Sequence, residues 1–221
     1  MEQHPPSRKV AIFQHVKNEP PGLFGTVFAG QNIPVEYVRL YETNEVPQRT
    51  RATHFVFLGG PMSVNDEAEL PWLKDEKALI RRAVREHKKV LGICLGAQLI
   101  ASAHGGKVYK FVQETGWHFL NGEPGSVFPE QFPVFQLHGE TFEVPYGGRL
   151  LATGPEVRNQ AFSIGSALGL QFHLELTDPI IRDWSRDQKK FTREKIEQET
   201  PRFLPASNRL CRQVAADFIG T

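Results

Sequence analysis

Cysteine is scarce in this chain of 221 residues: there are two, Cys94 and Cys211, too few for a disulfide framework at this length. Long apolar runs are missing as well. No segment reaches the roughly 18 uninterrupted apolar residues that a membrane helix needs. Met1 to Lys9 is polar, with Pro5 and Pro6, and lacks the apolar stretch of a signal peptide. A free thiol without a leader suits a reducing cytoplasm, the expected location, and no membrane partner is expected. Charge of one sign is absent too: 26 Lys and Arg against 25 Asp and Glu leave a net charge of +1. That balance offers no basic stripe to nucleic acid and no acidic disordered tail. Internal repeats and low-complexity tracts are lacking. So is ligand spacing for a metal: His104, His118 and His138 read as isolated loop or strand residues, and no metal or other cofactor is expected.

What is present is an ordinary globular composition, 40% hydrophobic and 23% charged, in a chain long enough to bury a substantial core. Val10–Val16, Val35–Leu40, His54–Leu58 and Val90–Cys94 are short apolar or alternating runs that predict strands. Between Leu70 and His87, apolar residues recur at helical spacing with Lys77, Arg81 and Arg85 opposite, and Leu95–Ala103 predicts an alanine-rich helix. Strands alternating with helices predict an open α/β sheet, mostly parallel, with helices on both faces. From Gly105 to Gly169, glycine and proline become frequent. Short segments such as Phe132–Leu137 and Thr141–Val144 there predict a smaller antiparallel section. Phe172–Leu176 predicts a further strand, Ile180–Gln198 one or two charged surface helices, and Ser207–Ile219 a final helix. The domain expectation is an extended or disordered lead over residues 1–9 and one domain over 10–221, including a C-terminal helical extension.

The chemistry concentrates around Cys94. In Val90-Leu-Gly-Ile-Cys94-Leu-Gly96, glycines two before and two after the cysteine let a strand turn sharply into a helix, as in a nucleophile elbow. Such a turn presents the thiol at the carboxyl end of the sheet and at a helix N-terminus that favours the thiolate. A small cysteine packed between strand and helix would look the same locally, so the elbow needs a base. Gln171-Phe-His173-Leu-Glu175 supplies one: on a strand, Gln171, His173 and Glu175 share one face and Phe172, Leu174 and Leu176 the other. His173 would raise the thiolate fraction of Cys94, and Glu175 would orient the imidazole. A third segment, Phe57-Leu-Gly59-Gly60-Pro-Met62, runs a strand into a double glycine whose N–H groups could serve an oxyanion hole.

Gly59-Gly-Pro-Met62, Gly92-Ile-Cys-Leu-Gly-Ala-Gln98 and Gln171-Phe-His-Leu-Glu175 resemble, in order and separation, the three signatures of triad-type class I glutamine amidotransferases. The resemblance runs from Val10 to Leu176 and is closest to the GMP synthase glutaminase domain and its free-standing relatives. It implies a flavodoxin-like α/β fold and a glutaminase. Cys94 would attack the glutamine side-chain amide, His173 would shuttle the proton to ammonia, and Glu175 would hold His173. The N–H groups of Gly60 and Leu95 would stabilise the oxyanion, and Gln98 would bind substrate. Gln136-Leu137-His138-Gly139 sits where relatives contact the amino-acid end of glutamine. Leu174 departs from the family, where many members have proline. No Gly-x-x-x-x-Gly-Lys-Ser/Thr loop and no Ser-Gly-Gly-x-Asp-Ser loop occurs, so these residues do not make a complete synthetase, and a separate synthetase subunit is the implied partner. A γ-glutamyl hydrolase or peptidase acting on a larger γ-glutamyl amide is the alternative, because only the leaving group differs. A non-catalytic regulatory protein on the same fold is a third reading, against which the intact Cys94, His173 and Glu175 count.

Overall fold

The computed structural model describes residues 8–220; most of the extended lead expected over residues 1–9 therefore lies outside the described residues. The first half of the chain alternates strictly. Strands β1 (Val10–Gln14), β2 (Val35–Arg39), β3 (His54–Phe57) and β4 (Lys89–Ile93) are separated by helices α1 (Gly22–Gly30), short α2 (Leu40–Thr43) and α3 (Trp72–Arg85). β4 runs at once into α4 (Leu95–Ala103). Every residue of β1 and β3 is buried, as expected for strands covered on both faces, where continuous apolar runs replace alternation. α3 lays Leu73, Ile80 and Ala83 on the sheet, the face its period predicts.

A β-rich excursion follows. The long strands β5 (Val108–Gly122) and β6 (Gln131–Phe142) form an antiparallel hairpin, and β7 (Arg149–Thr153), β8 (Asn159–Ile164) and β9 (Ala167–Leu170) lead back to the centre of the sheet. All nine strands form one sheet in the order β2-β1-β3-β4-β9-β8-β7-β5-β6. β2, β1, β3, β4 and β9 run parallel, whereas β8, β7, β5 and β6 continue it antiparallel. The open α/β sheet expected from sequence is thus present, with a longer antiparallel wing than the sequence suggests. Phe132–Leu137 and Thr141–Val144 are not separate strands: residues 131–142 belong to β6.

The C-terminal part also differs in detail. Phe172–Leu176 is no regular strand. After β9 ends at Leu170, this segment is held by a single bridge between His173 and Phe135 of β6 and a 2.9 Å hydrogen bond from the His173 N–H to the Phe135 carbonyl. The charged stretch and final helix resolve into α5 (Asp178–Ser185) and a 30-residue α6 (Lys190–Ile219) that contains Pro201 and Pro205. α6 buries Leu210, Cys211, Val214 and Phe218 in the core beside α1. Among the described residues, no helix is long and apolar enough to cross a membrane.

Candidate active site

β4 and β9 are neighbours in register, with Ile93 opposite Leu170. Residues just past the two strand ends therefore meet, although they lie far apart in sequence. Cys94 follows β4 and Gln171 follows β9, and the Cys94 N–H donates to the Leu170 carbonyl at 2.7 Å. The turn at Cys94 is severe: φ is 51° and ψ −106°, a conformation costly for any residue with a side chain. Gly96 makes the turn possible, because a Cβ there would overlap the Phe57 carbonyl of β3, and at Gly92 a Cβ would overlap the backbone of Gly96. The cysteine thus stands at the N-cap of α4, held by both neighbouring strands.

His173 Nδ1 lies 2.6 Å from Glu175 Oε1, which leaves Nε2 for the hydrogen bond that links the imidazole to the Cys94 thiol. The sequence places the polar trio Gln171, His173 and Glu175 on an open face. All three are instead buried, as are the apolar residues between them, because β6 covers this segment. Burial works against charge on His173, but the Glu175 carboxylate and the hydrogen bonds with Cys94 and Glu175 hold its pKa well above the ordinary value. The Trp184 ring meets His173 edge-on at 4.9 Å, and its indole N–H donates to the Asn18 carbonyl at 2.8 Å. The Glu175 carbonyl accepts the Leu23 N–H at 2.7 Å, so the start of α1 clamps the end of the segment. A thiol, an imidazole bonded to it and a carboxylate on the far ring nitrogen stand in the order that nucleophilic acyl transfer uses.

Gly60 follows β3, and its neighbours explain its identity: a Cβ there would crowd Met62, Leu95 and His15. Among the described residues, neither the Gly60 nor the Leu95 N–H donates to a protein acceptor. Gln98 Nε2 lies 3.2 Å from the Glu140 carbonyl and 3.3 Å from Gln171 Oε1, and Gln171 Nε2 in turn reaches Cys94 Sγ at 3.7 Å. Cys94, Gly60 and Gln98 all border one cleft of about 600 Å³, closed on its far side by Lys110, Phe111 and His138. Of the segment Gln136–Gly139, residues Leu137, His138 and Gly139 line this cleft, whereas Gln136 is buried against Gln160. His138 Nε2 pairs with Glu114 at 3.0 Å. Burial pushes the Glu114 carboxyl up, but the hydrogen bonds from His138 and Gln160 prevail and hold it below the usual carboxylate range. No cluster of His, Cys, Asp and Glu suited to a metal ion occurs among the described residues.

Three neighbours escape sequence reasoning. Gln171 touches the thiol, yet the sequence marks it only as sharing a face with His173. Glu19 reaches the Gly59 backbone so closely that a Cβ on Gly59 would overlap its carboxylate; burial raises its carboxyl pKa, with the His173 charge opposing. His15 contacts the Gly59 carbonyl and the buried Glu76. Glu76 carries the one available signal, an acid on the apolar face of α3 beside Leu73 and Ile80, which demands a buried partner.

Comparison with known proteins agrees with this geometry. A glutamine-hydrolysing GMP synthase of Cytophaga hutchinsonii is 32% identical over 151 residues, covering 64% of this chain and 28% of that protein. One subunit of the glutamine-hydrolysing GMP synthase of Saccharolobus solfataricus is 34% identical over 134 residues, 55% of this chain and 66% of that polypeptide. Gamma-glutamyl peptidase 4 of Arabidopsis thaliana is 32% identical over 127 residues, 51% of this chain and 50% of the peptidase. The match thus spans between about a quarter and two thirds of these curated relatives. Among solved structures, a glutamine amidotransferase from Thermotoga maritima superposes with a TM-score of 0.86 at 28% identity, covering 97% of this chain and 99% of that one. The family model described as glutamine amidotransferase class-I matches residues 27–179, and the chain belongs to that family.

Proposed function

We propose that the chain hydrolyses the side-chain amide of glutamine through a γ-glutamyl thioester on Cys94. The observation that carries this reading is the contact chain from Cys94 through His173 to Glu175, buried at one edge of an open cleft. The Cys94 sulfur attacks the amide carbon, and His173 passes its proton to the departing nitrogen, so that ammonia leaves as the thioester forms. Water then gives a proton to His173 and attacks the thioester carbon, releasing glutamate and restoring the thiol. Glu175 fixes the imidazole tautomer and stabilises the imidazolium. The N–H groups of Gly60 and Leu95, free of protein acceptors, would receive the developing oxyanion. Gln98 donates through Nε2 to Gln171 and Glu140, which leaves its Oε1 to accept from the substrate. The ammonia passes to a separate synthetase subunit in the cytoplasm, because no ATP-binding loop occurs in these 221 residues to activate an acceptor.

A second reading, cleavage of a γ-glutamyl amide with a larger leaving group, is favoured by the size of the cleft. About 600 Å³ falls in the range, roughly 300–1,000 Å³, of sites for ligands well beyond one amino acid. The same nucleophile and base serve both reactions. The deciding experiment sets glutamine against γ-glutamyl dipeptides and glutathione-like amides, following ammonia in one case and the free amine in the other. Cys94→Ala should abolish every activity with the circular dichroism spectrum unchanged. A fully active Cys94→Ala would sink the proposal.

A further inference from the structure

Behind the Gly59–Gly60 peptide lies a pair of groups that this chemistry does not use. His15, one residue past β1, and Glu76 on α3 both have fully enclosed side chains. His15 Nε2 is 3.2 Å from each oxygen of the Glu76 carboxylate, and Nδ1 is 3.0 Å from the Gly59 carbonyl oxygen. Trp72 stacks on the imidazole at 5.7 Å with an interplanar angle of 22°. His15 is thus the donor that the enclosed Glu76 carboxylate relies on.

This arrangement selects one protonation state. A neutral imidazole carries a single N–H. Were it on Nδ1, the buried Glu76 carboxylate would face a bare lone pair; were it on Nε2, the Gly59 carbonyl would. Either loss is costly in an enclosed site. The doubly protonated ring donates to both. Burial opposes that charge, but the Glu76 carboxylate, its hydrogen bond, the Gly59 carbonyl and the Glu19 charge outweigh it and raise the His15 pKa.

The consequence reaches the cleft through one peptide plane. Peptide bonds among the described residues are trans, so the C=O and N–H of the Gly59–Gly60 unit point in opposite directions. Gripping the carbonyl on the His15 side sends the Gly60 N–H away from His15, towards the cleft that Gly60 and Cys94 share. We propose that His15, backed by Glu76, is a positioning residue for acyl transfer: its imidazolium holds the Gly59 carbonyl and thereby aims the Gly60 N–H at the oxyanion that forms on the Cys94 adduct. The bond also polarises the peptide, which strengthens the N–H as a donor. The proposal rests on the reading above in which Cys94 is the nucleophile and Gly60 an oxyanion donor.

The test separates oxyanion support from thiol reactivity. Replacing the pair by His15→Phe with Glu76→Leu removes the donor while keeping the space filled. Turnover of the best substrate should fall about ten- to a hundredfold in kcat, short of the roughly 10²–10³ seen when a donor is deleted, with KM within about threefold. Alkylation of Cys94 by iodoacetamide should stay within about twofold, because displacement at carbon builds no oxyanion. His15→Asn with Glu76→Gln, whose amide can donate near the Nδ1 position, should restore most of kcat. Undiminished turnover in the Phe/Leu pair overturns the proposal, and so does a parallel loss of turnover and alkylation, which marks a merely structural role. Should that pair not fold, ¹⁵N NMR of the wild-type protein decides: both His15 nitrogens protonated at pH 7 is the expected result, and a bare Nδ1 refutes it. A Cys94 that resists iodoacetamide in the wild type shows instead that the nucleophile reading has failed, and takes the proposal with it.

Discussion

The backbone at Cys94 makes a prediction that ordinary helix and strand propensities reverse. In most positions, exchanging alanine for glycine destabilises a protein by about 0.5–1 kcal/mol, because glycine loses more backbone freedom on folding. At position 94, φ is 51° and ψ −106°, and a side chain held in such a region costs on the order of 1–3 kcal/mol. Cys94→Gly removes that cost, whereas Cys94→Ala retains it. Subtracting the glycine entropy from the strain released leaves Cys94→Gly more stable than Cys94→Ala by about 0.5–2 kcal/mol. Both variants lack the thiol, so the comparison isolates the backbone. At this chain length, 1 kcal/mol shifts the thermal midpoint by about 2–4 °C, which calorimetry resolves; urea titration with equal slopes gives the free energy directly. If Cys94→Gly proves the less stable of the two, the turn is not strained and the argument is wrong. Neither variant should release ammonia.

Other perturbations probe the groups around it. Glu175→Gln removes the charge that sustains the His173 imidazolium, so the alkaline limb of kcat/KM should move to lower pH and the maximal rate fall by about 10²–10⁴; an unshifted limb would exclude Glu175 as its support. The linked stability has a definite sign. A raised histidine pKa contributes fully below the ordinary value near 6.5 and is lost as pH rises through the folded-state value, so the gap between wild type and Glu175→Gln should narrow with rising pH in calorimetric scans. Gly96→Ala would force a methyl into the Phe57 carbonyl; a lowered thermal midpoint together with lost activity is expected, and a fully stable variant would contradict the packing of α4 on β3. A glutamine-mimicking electrophile should modify Cys94 and spare Cys211, which is fully buried on α6 with its thiol pKa pushed well up by burial and by Glu175; peptide mapping reads this directly, and preferential labelling of Cys211 would reverse the assignment.

How much of this is legible in the sequence depends on how local the signal is. Buried parallel strands such as Val10–Gln14 and His54–Phe57 read as apolar runs because both faces are covered, and α3 shows its period because one side meets water. α1 goes unread: Gly-Leu-Phe-Gly-Thr-Val-Phe-Ala-Gly has little helix propensity, and packing against α6 supplies what the local sequence lacks. The Gln171–Leu176 segment alternates like a half-exposed strand, yet β6 buries both sets of side chains, a tertiary fact that alternation does not encode. Cys94, His173 and Glu175 are legible because turn geometry and i, i+2 spacing are local. His15 and Glu76 are not, since each is an ordinary residue in its own element and only the docking of α3 beside β1 pairs them.

The β4–β9 pairing also dictates when the molecule becomes chemically competent. Ile93 and Leu170 are direct neighbours in the sheet, but the whole β5–β8 excursion must be looped out before they meet. Closing a loop of that length costs roughly 4 kcal/mol in chain entropy, and such non-local contacts form late in folding. On the ribosome, the thiol emerges while its imidazole is still unmade. Until β9 docks, Cys94 is a cysteine without a base, so the growing chain is chemically quiet and the reactive centre switches on as the fold completes.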